Sequence, residues 1–444
     1  MKKLTQVDFQ QRRDHLAAEM GLNSIAIIAT RAEMLRNRDA DYKYRTDSSF
    51  FYLTGFAEPE AVAVIETFDS EDEGYSYSLF CRERDREMEI WNGYRAGIDG
   101  AVDDYEADEA CAIDLLDEEI IGKLQGKEKL FYRIGQNAEF DARVAKWIAT
   151  ASGETRRGAS APNQIVQLDT IVDEMRLHKD AQEIELMQIA SNISAEAHTK
   201  AMQTVRPGMM EYALEAELNY VFGKNGCVPS YNSIVGGGEN ACILHYVENN
   251  KELKDGDLVL IDAACEYEFY ASDITRTFPV NGKFSPEQKA LYNIVLDAQI
   301  AAIHAVQIGN SYKEPHHVAV RILVQGLLDL GIMQGDLEDI IATEKFRQFY
   351  MHGTGHWLGM DVHDVGTYKE NGEWRTYEEG MVVTIEPGLY IAPDDETVDP
   401  KWRGIGIRIE DDIVATANGP LNLTEKVVKT VADIEALMAK AKAA

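Results

Sequence analysis

Two kinds of hydrophobic spacing run along this chain, and the order in which they occur divides it. Through residue 172, an amphipathic helical pattern at Val7 to Met20 is followed by short apolar runs at Ile25 to Ala29, Ala61 to Ile65 and Tyr75 to Phe80. Apolar positions three and four apart predict a helix with one buried face, and short apolar runs bounded by polar residues predict strands. Residues 1–172 are therefore expected to form an α/β domain, with GASAP at 158–162 as the passage out of it. Beyond that point, Asp180 to Val205, Met210 to Gly223 and Pro286 to Ile308 carry helix-length amphipathic patterns. Ser285-Pro286-Glu287 is a helix start, because serine can accept from the first free N–H groups and proline has no N–H to leave unpaired. Long apolar strands occupy the rest, so 173–444 is expected to be an α+β domain whose helices back a curved antiparallel sheet.

Several of those strands end in acids. Asp262 closes the apolar run Leu258 to Ile261, Asp273 follows in ASDITRTF, Glu386 closes MVVTIE and Glu410 closes GIGIRIE. Taken singly, each is an ordinary strand-end surface residue. Gathered in one core they need cations, since an unpaired buried polar group costs about 1–3 kcal/mol and a charged one more. A hairpin turning through Glu266 to Phe269 in symmetric register sets Asp262 directly opposite Asp273, with Cβ atoms roughly 4.5–5.5 Å apart. In GIGIRIED the strand period puts Ile405, Ile407 and Ile409 on one face, and Gly404, Gly406, Arg408 and Glu410 on the other, the glycines leaving space. By the same alternation Met381, Val383 and Ile385 face away from Glu386. His352 and His356 have helical spacing, but Gly353, Gly355 and Gly359 in MHGTGHWLG point to a glycine-loosened strand or loop instead.

The acid-bearing strands also repeat. Gly256 precedes Asp262 in GDLVLID as Gly380 precedes Glu386 in GMVVTIE, and each is followed by a second acid-bearing strand. Two such units facing each other deliver two acids apiece to a shared centre. Four carboxylates balance two divalent cations, and oxygen donors with a single imidazole favour Mn2+, Co2+ or Zn2+ over a thiolate-seeking metal.

Composition narrows the setting. With 44 Lys and Arg against 76 Asp and Glu, the net charge is 44 − 76 = −32, which argues against nucleic acid or an anionic membrane as partner. Five cysteines, 81, 111, 227, 242 and 265, show no CxxC spacing, as expected in a reducing compartment. No run of about 18 apolar residues occurs, and the N terminus has no apolar signal core. A cytoplasmic location is expected.

The segments NSIVGGGENACILHY, LVLIDAACEYEFYASDITRTFPVNGKF, MHGTGHWLGMDVHDVG, GMVVTIEPGLYI and GIGIRIEDDIV resemble aminopeptidase P, the Xaa-Pro aminopeptidase of the pita-bread metallopeptidases. The likeness extends to DADYKYRTDSSFFYLTGFAEPEAV and VDEMRLHKDAQEIELM, with one departure, Ala264, where the family usually has glycine. It implies an α/β N-terminal domain at 1–172, serving oligomerisation and substrate access. It implies a pita-bread (creatinase/aminopeptidase) catalytic domain at 173–444.

It further implies that Asp273 and Glu410 bridge two divalent ions, expected to be Mn2+ with Co2+ or Zn2+ as alternatives. Asp262 then binds one ion, and His356 and Glu386 the other. A hydroxide between the ions is the implied nucleophile, and Glu386 moves a proton to the leaving proline nitrogen. His245, His363 and Arg408 are the implied catalytic neighbours, with Tyr231, His352 and Tyr390 around the substrate. Asp39, Trp91 and Arg156 match positions that can approach a neighbouring subunit's active site, and imply a homo-oligomer, expected to be a tetramer. Proline-containing peptides are the implied substrates. Prolidase shares the metal set and is the alternative reading, with phosphotriester hydrolysis as a possible side reaction. Methionine aminopeptidase lacks such an N-terminal domain, and the metal-free pita-bread binding modules lack the five ligands.

Overall fold

The computed structural model describes residues 2–153, 158 and 160–443, which divide into two compact units, Met1–Met175 and Arg176–Ala444. In the first unit, the apolar strand Ser24–Ala29 lies inside a six-stranded sheet. It pairs antiparallel with Val62–Thr67 and parallel with Lys129–Tyr132. Tyr75–Cys81 and Glu109–Ala112 extend the sheet on one side and Gln164–Val166 on the other. Ile25, Ile27, Val62, Val64, Leu130 and Tyr132 pack against Leu116, Ile120 and Leu124 of one helix and Phe140, Val144 and Trp147 of another. Each such side chain contributes about 1.5–3 kcal/mol by leaving water. Arg12 and Arg13 on the helix Gln6–Met20 are buried too, their guanidinium groups lying over Tyr52 at 4.0 Å and Tyr77 at 4.4 Å.

The passage expected at 158–162 is not where the chain leaves this sheet. Gln164–Val166 still pairs with Lys129–Phe131, and the helix Asp169–Leu177 carries the chain onward. A strand of three residues is too short to register as a hydrophobic period. Ala159 of that segment lies outside the described residues.

The second unit opens with helices Ala181–Thr204 and Glu211–Lys224, followed later by Pro286–Ala305 and Glu314–Asp329. Ser285 caps the third of these as expected, accepting from the Gln288 N–H at 3.2 Å. Between and after the helices lie antiparallel strands. Leu258–Asp262 sits between Ile234–Gly237 and Thr275–Pro279. Val382–Ile385 pairs with Asp411–Thr416, and Gly388–Ile391 with Ile405–Arg408. The two repeated glycines share one conformation: Gly256 has φ 89° and Gly380 φ 84°, values that glycine adopts without the cost a side chain brings.

The register of the first hairpin differs from the symmetric one. Asp262 pairs with Thr275, and the turn is made by Glu268 and Phe269, both with positive φ. Asp273 therefore shares a face with Asp262 but sits one pleat along, diagonal to it, and the Ala263–Ile274 and Ser272–Cys265 backbone bonds flank it on the opposite side of Ala264. Positive φ at two non-glycine positions is a poor match to their side chains, which is why the sequence suggested a turn one residue earlier.

Behind the acid-bearing strands a second set of charges is fully paired. Asp411 accepts from Arg276 at 2.6 Å, Lys429 at 2.6 Å, Thr424 at 2.8 Å and Gln299 at 2.9 Å. Neither Arg276 nor Asp411 exposes any side-chain surface. Removing one partner strands the other in the core, so Asp411→Ala should lower unfolding free energy by about 3–5 kcal/mol in a denaturant titration.

Candidate metal centre

The repeated strands bring their acids to one cleft of about 620 Å3. Asp262, Asp273, His356, Glu386 and Glu410 all line it, together with Tyr231, His245, His352, His363 and Arg408. One ligand atom each from Asp273, His356 and Glu410 can be chosen so that all lie within 4.8 Å of one another. Nε2 of His356 lies 3.5 Å from Asp273 and 3.7 Å from Glu386. Asp262 joins the group through Tyr231, whose hydroxyl is 2.5 Å from a carboxylate oxygen of Asp262 and 2.5 Å from one of Asp273.

Backbone bonds hold the two halves together. The Glu410 N–H donates to the Thr275 carbonyl at 3.1 Å and the Glu386 N–H to the Thr354 carbonyl at 2.8 Å. The MHGTGHWLG segment is a loop, one of the two forms its glycines left open. Gly355 is required there, since a Cβ at that position would stand 1.8 Å from the Thr384 carbonyl oxygen. Gly406 has a different use from the one expected. The space beside it is filled by the Ala241 carbonyl, 2.3 Å from where its Cβ would be.

The charges do not balance without cations. Burial pushes the Asp273 carboxyl up, and neighbouring Asp262 adds to it. Burial with Asp273 and Glu386 nearby pushes Glu410 well up. Glu386 is raised to about 7, chiefly by burial. His356 is pulled down by burial, but its bond to Asp273 and the charge of Glu386 outweigh that and leave it at about 9. Each of these groups is holding, or calling for, a positive charge.

Hydrogen-bond geometry tests whether metal ions fit. Nδ1 of His356 faces the Trp357 carbonyl at 2.9 Å; a carbonyl only accepts, so Nδ1 carries a proton, and Nε2, turned toward the carboxylates, is the nitrogen whose proton an ion would displace. Tyr231 has one hydroxyl hydrogen for two carboxylate oxygens. Acceptors facing acceptors fit divalent cations, and the fixed Nδ1–H is the outer-sphere bond that orients a ligating histidine.

The supporting residues divide by what they touch. Arg408 donates to Asp262 at 2.7 Å, to the Tyr390 hydroxyl at 3.0 Å and to Thr275 at 3.1 Å. Tyr390 in turn lies 2.8 Å from Nε2 of His352. Burial and the Arg408 charge hold His352 down at about 3, so it stays neutral. His245 and His363 are exposed at the cleft, and the His363 ring stands edge-on to His356 at 4.3 Å. Burial and the neighbouring His356 lower His363.

Asp39 and Trp91 belong to the first unit, on an exposed turn and an exposed helix; Arg156 lies outside the described residues. Three residues that the sequence reading passed over matter here. Thr275 donates to Glu410 at 2.6 Å, Thr384 faces Glu386 at 3.4 Å, and Asp412 accepts from the Asp273 N–H at 3.0 Å. The strand period could have found them, since each stands two residues from an expected ligand on the same face.

These features agree with what the chain is similar to. Residues 185–417 match the family described as metallopeptidase family M24, and residues 9–132 match the aminopeptidase P N-terminal domain. The Xaa-Pro aminopeptidase of Escherichia coli is 46% identical over 443 residues, with 100% of both chains covered. Among solved structures, Pseudomonas aeruginosa aminopeptidase PepP superposes with a TM-score of 0.97 at 52% identity, covering 100% of both chains. An E. coli aminopeptidase P variant in complex with substrate gives 0.97 at 46%, again over 100% of both chains. An α/β N-terminal domain followed by a pita-bread domain places this chain in the M24 metallopeptidase family, among the aminopeptidases P.

Proposed function

We propose that this chain is an Xaa-Pro aminopeptidase, releasing the N-terminal residue of peptides whose second residue is proline. The observation that carries the reading is the meeting, in one cleft, of five acceptor ligands short of positive charge with histidines at its rim. Relatives named Xaa-Pro aminopeptidase and matched end to end support it. In this reading Asp273 and Glu410 hold both ions, Asp262 holds one, and His356 and Glu386 hold the other. A bound ion pair supplies a water of lowered pKa and a Lewis acid for the scissile carbonyl. The donor set suits Mn2+ first, with Co2+ or Zn2+ as alternatives.

The residues of the chain do the rest. A proline amide has no N–H, so the cleft cannot grip that nitrogen by a backbone bond, and the nitrogen needs a proton in order to leave. Glu386, which lines the cleft beside His356, is the group placed to carry that proton. Ile234, Leu244, Val247 and Val362 supply apolar wall for the ring. His245 and His363 orient the substrate carbonyl. Arg408 fixes Asp262, while Tyr390 and Tyr231 are held within the site's own network, bounding the substrate space.

The N-terminal domain, 1–172, serves assembly and substrate access in this reading. Ile90, Trp91 and Tyr94 are 76%, 79% and 90% exposed, an apolar cluster that favours contact with another copy. Asp39 and Trp91 then border a neighbour's cleft in a homotetramer. Sedimentation velocity at low concentration should give a species larger than a dimer, and a fully active monomer would refute the shared cleft. The five described cysteines are unpaired, which supports a cytoplasmic location, and no described helix is long and apolar enough to cross a membrane.

Incubating the Mn2+-loaded chain with Xaa-Pro and Xaa-Pro-Yaa peptides tests the activity. Cleavage of the tripeptides at the Xaa-Pro bond is expected; turnover confined to the dipeptides would make it a prolidase. Metal binding should depend on pH. Glu386 near 7 and His356 near 9 must give up protons to the ions, so affinity should fall by about tenfold for each unit of acidification between about pH 8 and 6 for every proton displaced. Asp273→Ala should lose at least one ion and nearly all activity. Two ions retained with normal turnover in that variant would remove the bridging role.

A further inference from the structure

A second cavity, of about 480 Å3, lies within the first unit. Its position follows from strand connectivity. Strands Ser24–Ala29 and Lys129–Tyr132 are parallel neighbours, so their carboxyl ends open on the same edge of the sheet. From the first, the chain runs through the helix Ser48–Thr54 to Val62–Thr67, which pairs on one side; from the second it runs through Ala138–Gly153 to Gln164–Val166, on the other. The two connections leave these adjacent strand ends in opposite directions, and residues of both border the cavity. Thr30, Arg31 and Ala32, just after the first strand, and Arg133, Gln136 and Asn137, just after the second, line this cavity.

The lining is apolar with a few polar groups, and their engagements differ. Arg133 is fully committed: it bonds Asp169, reaches the Ser49 hydroxyl at 3.0 Å, and lies 3.4 Å from Asp47 and 3.6 Å from Asp173. Asp47 uses its other oxygen to accept from the Ser49 and Phe50 N–H groups. Arg31 is 62% exposed in its side chain, and its ionic partner among the described residues is that same Asp47, 3.5 Å from Nε. Its terminal N–H pair is thus suited to a two-oxygen acceptor. Asn137 caps the following helix through its oxygen, which leaves its amide N–H groups as donors. Ile27, Ala29, Phe140 and Leu168 supply apolar lining.

We propose that this cavity is a second ligand site, taking a small monocarboxylate with an apolar side chain, such as free leucine or phenylalanine. The carboxylate lies on Arg31 and the side chain against the four apolar residues. None of these residues belongs to the metal-lined cleft, so the proposal stands or falls apart from the peptidase reading.

Equilibrium dialysis of the full chain with radiolabelled leucine tests it. The Asp273→Ala chain, whose cleft is disabled, should still bind one equivalent saturably. Unlabelled 4-methylpentanoate should compete, and leucinamide, which lacks the carboxylate, should not. Arg31→Ala, a change at an exposed side chain, and Ala32→Trp, which obstructs the lining sterically, should each weaken binding at least about tenfold, on the scale of one charge-assisted bidentate contact. Absence of saturable binding in the Asp273→Ala and wild-type chains, equal competition by leucinamide, or unchanged affinity in both cavity variants would each overturn the proposal.

Discussion

Repulsion among four carboxylates is the constraint to which the second unit is built. Asp262, Asp273, Glu386 and Glu410 are drawn into one cleft from strands far apart in sequence, and nothing among the described residues neutralises them all. Arg408 reaches Asp262 and Tyr390, and His356 reaches Asp273 and Glu386. The remaining demand shows in the upward displacement of Asp273, Glu386 and Glu410. Left to itself such a cluster gathers protons; its donors suit divalent cations in their place.

Behind that cluster the protein keeps a separate set of charges whose accounts close internally. Asp411 meets Arg276 and Lys429, and Asp364 meets Arg176 at 2.7 Å and Lys179 at 2.8 Å. The contrast is instructive, because adjacent residues Glu410 and Asp411 have opposite fates. Strand alternation turns one toward the cleft and the other toward buried arginine and lysine. Burial raises the first, whereas the cations beside the second overcome its burial and hold it below the ordinary carboxylate range.

Much of this was legible in the chain. Long helices with clear periods and caps, such as the one begun by Ser285 and Pro286, lie close to where the pattern placed them. The four acids of the cleft stood out because acids at the ends of apolar strands contradict burial unless something compensates. What escaped the pattern was set by backbone geometry or by distant packing. The Glu268–Phe269 turn needed positive φ at two unsuited residues. Gly406 was claimed by a carbonyl from elsewhere in the chain, and the short strand Gln164–Val166 carried no period at all. Thr275, Thr384 and Asp412 were within reach of the alternation rule, but hydroxyls and a second aspartate gave no chemical reason to look for them.

The bond between Thr275 and Glu410 spans 135 residues of chain. The acids of the earlier strands and those of the later ones cannot act together until that span has closed, so an unfinished chain carries half a centre and no hydrolytic power. Loop closure over such a distance makes the contact late and slow to form. The order of the strands thus ties the onset of hydrolysis to the completion of folding.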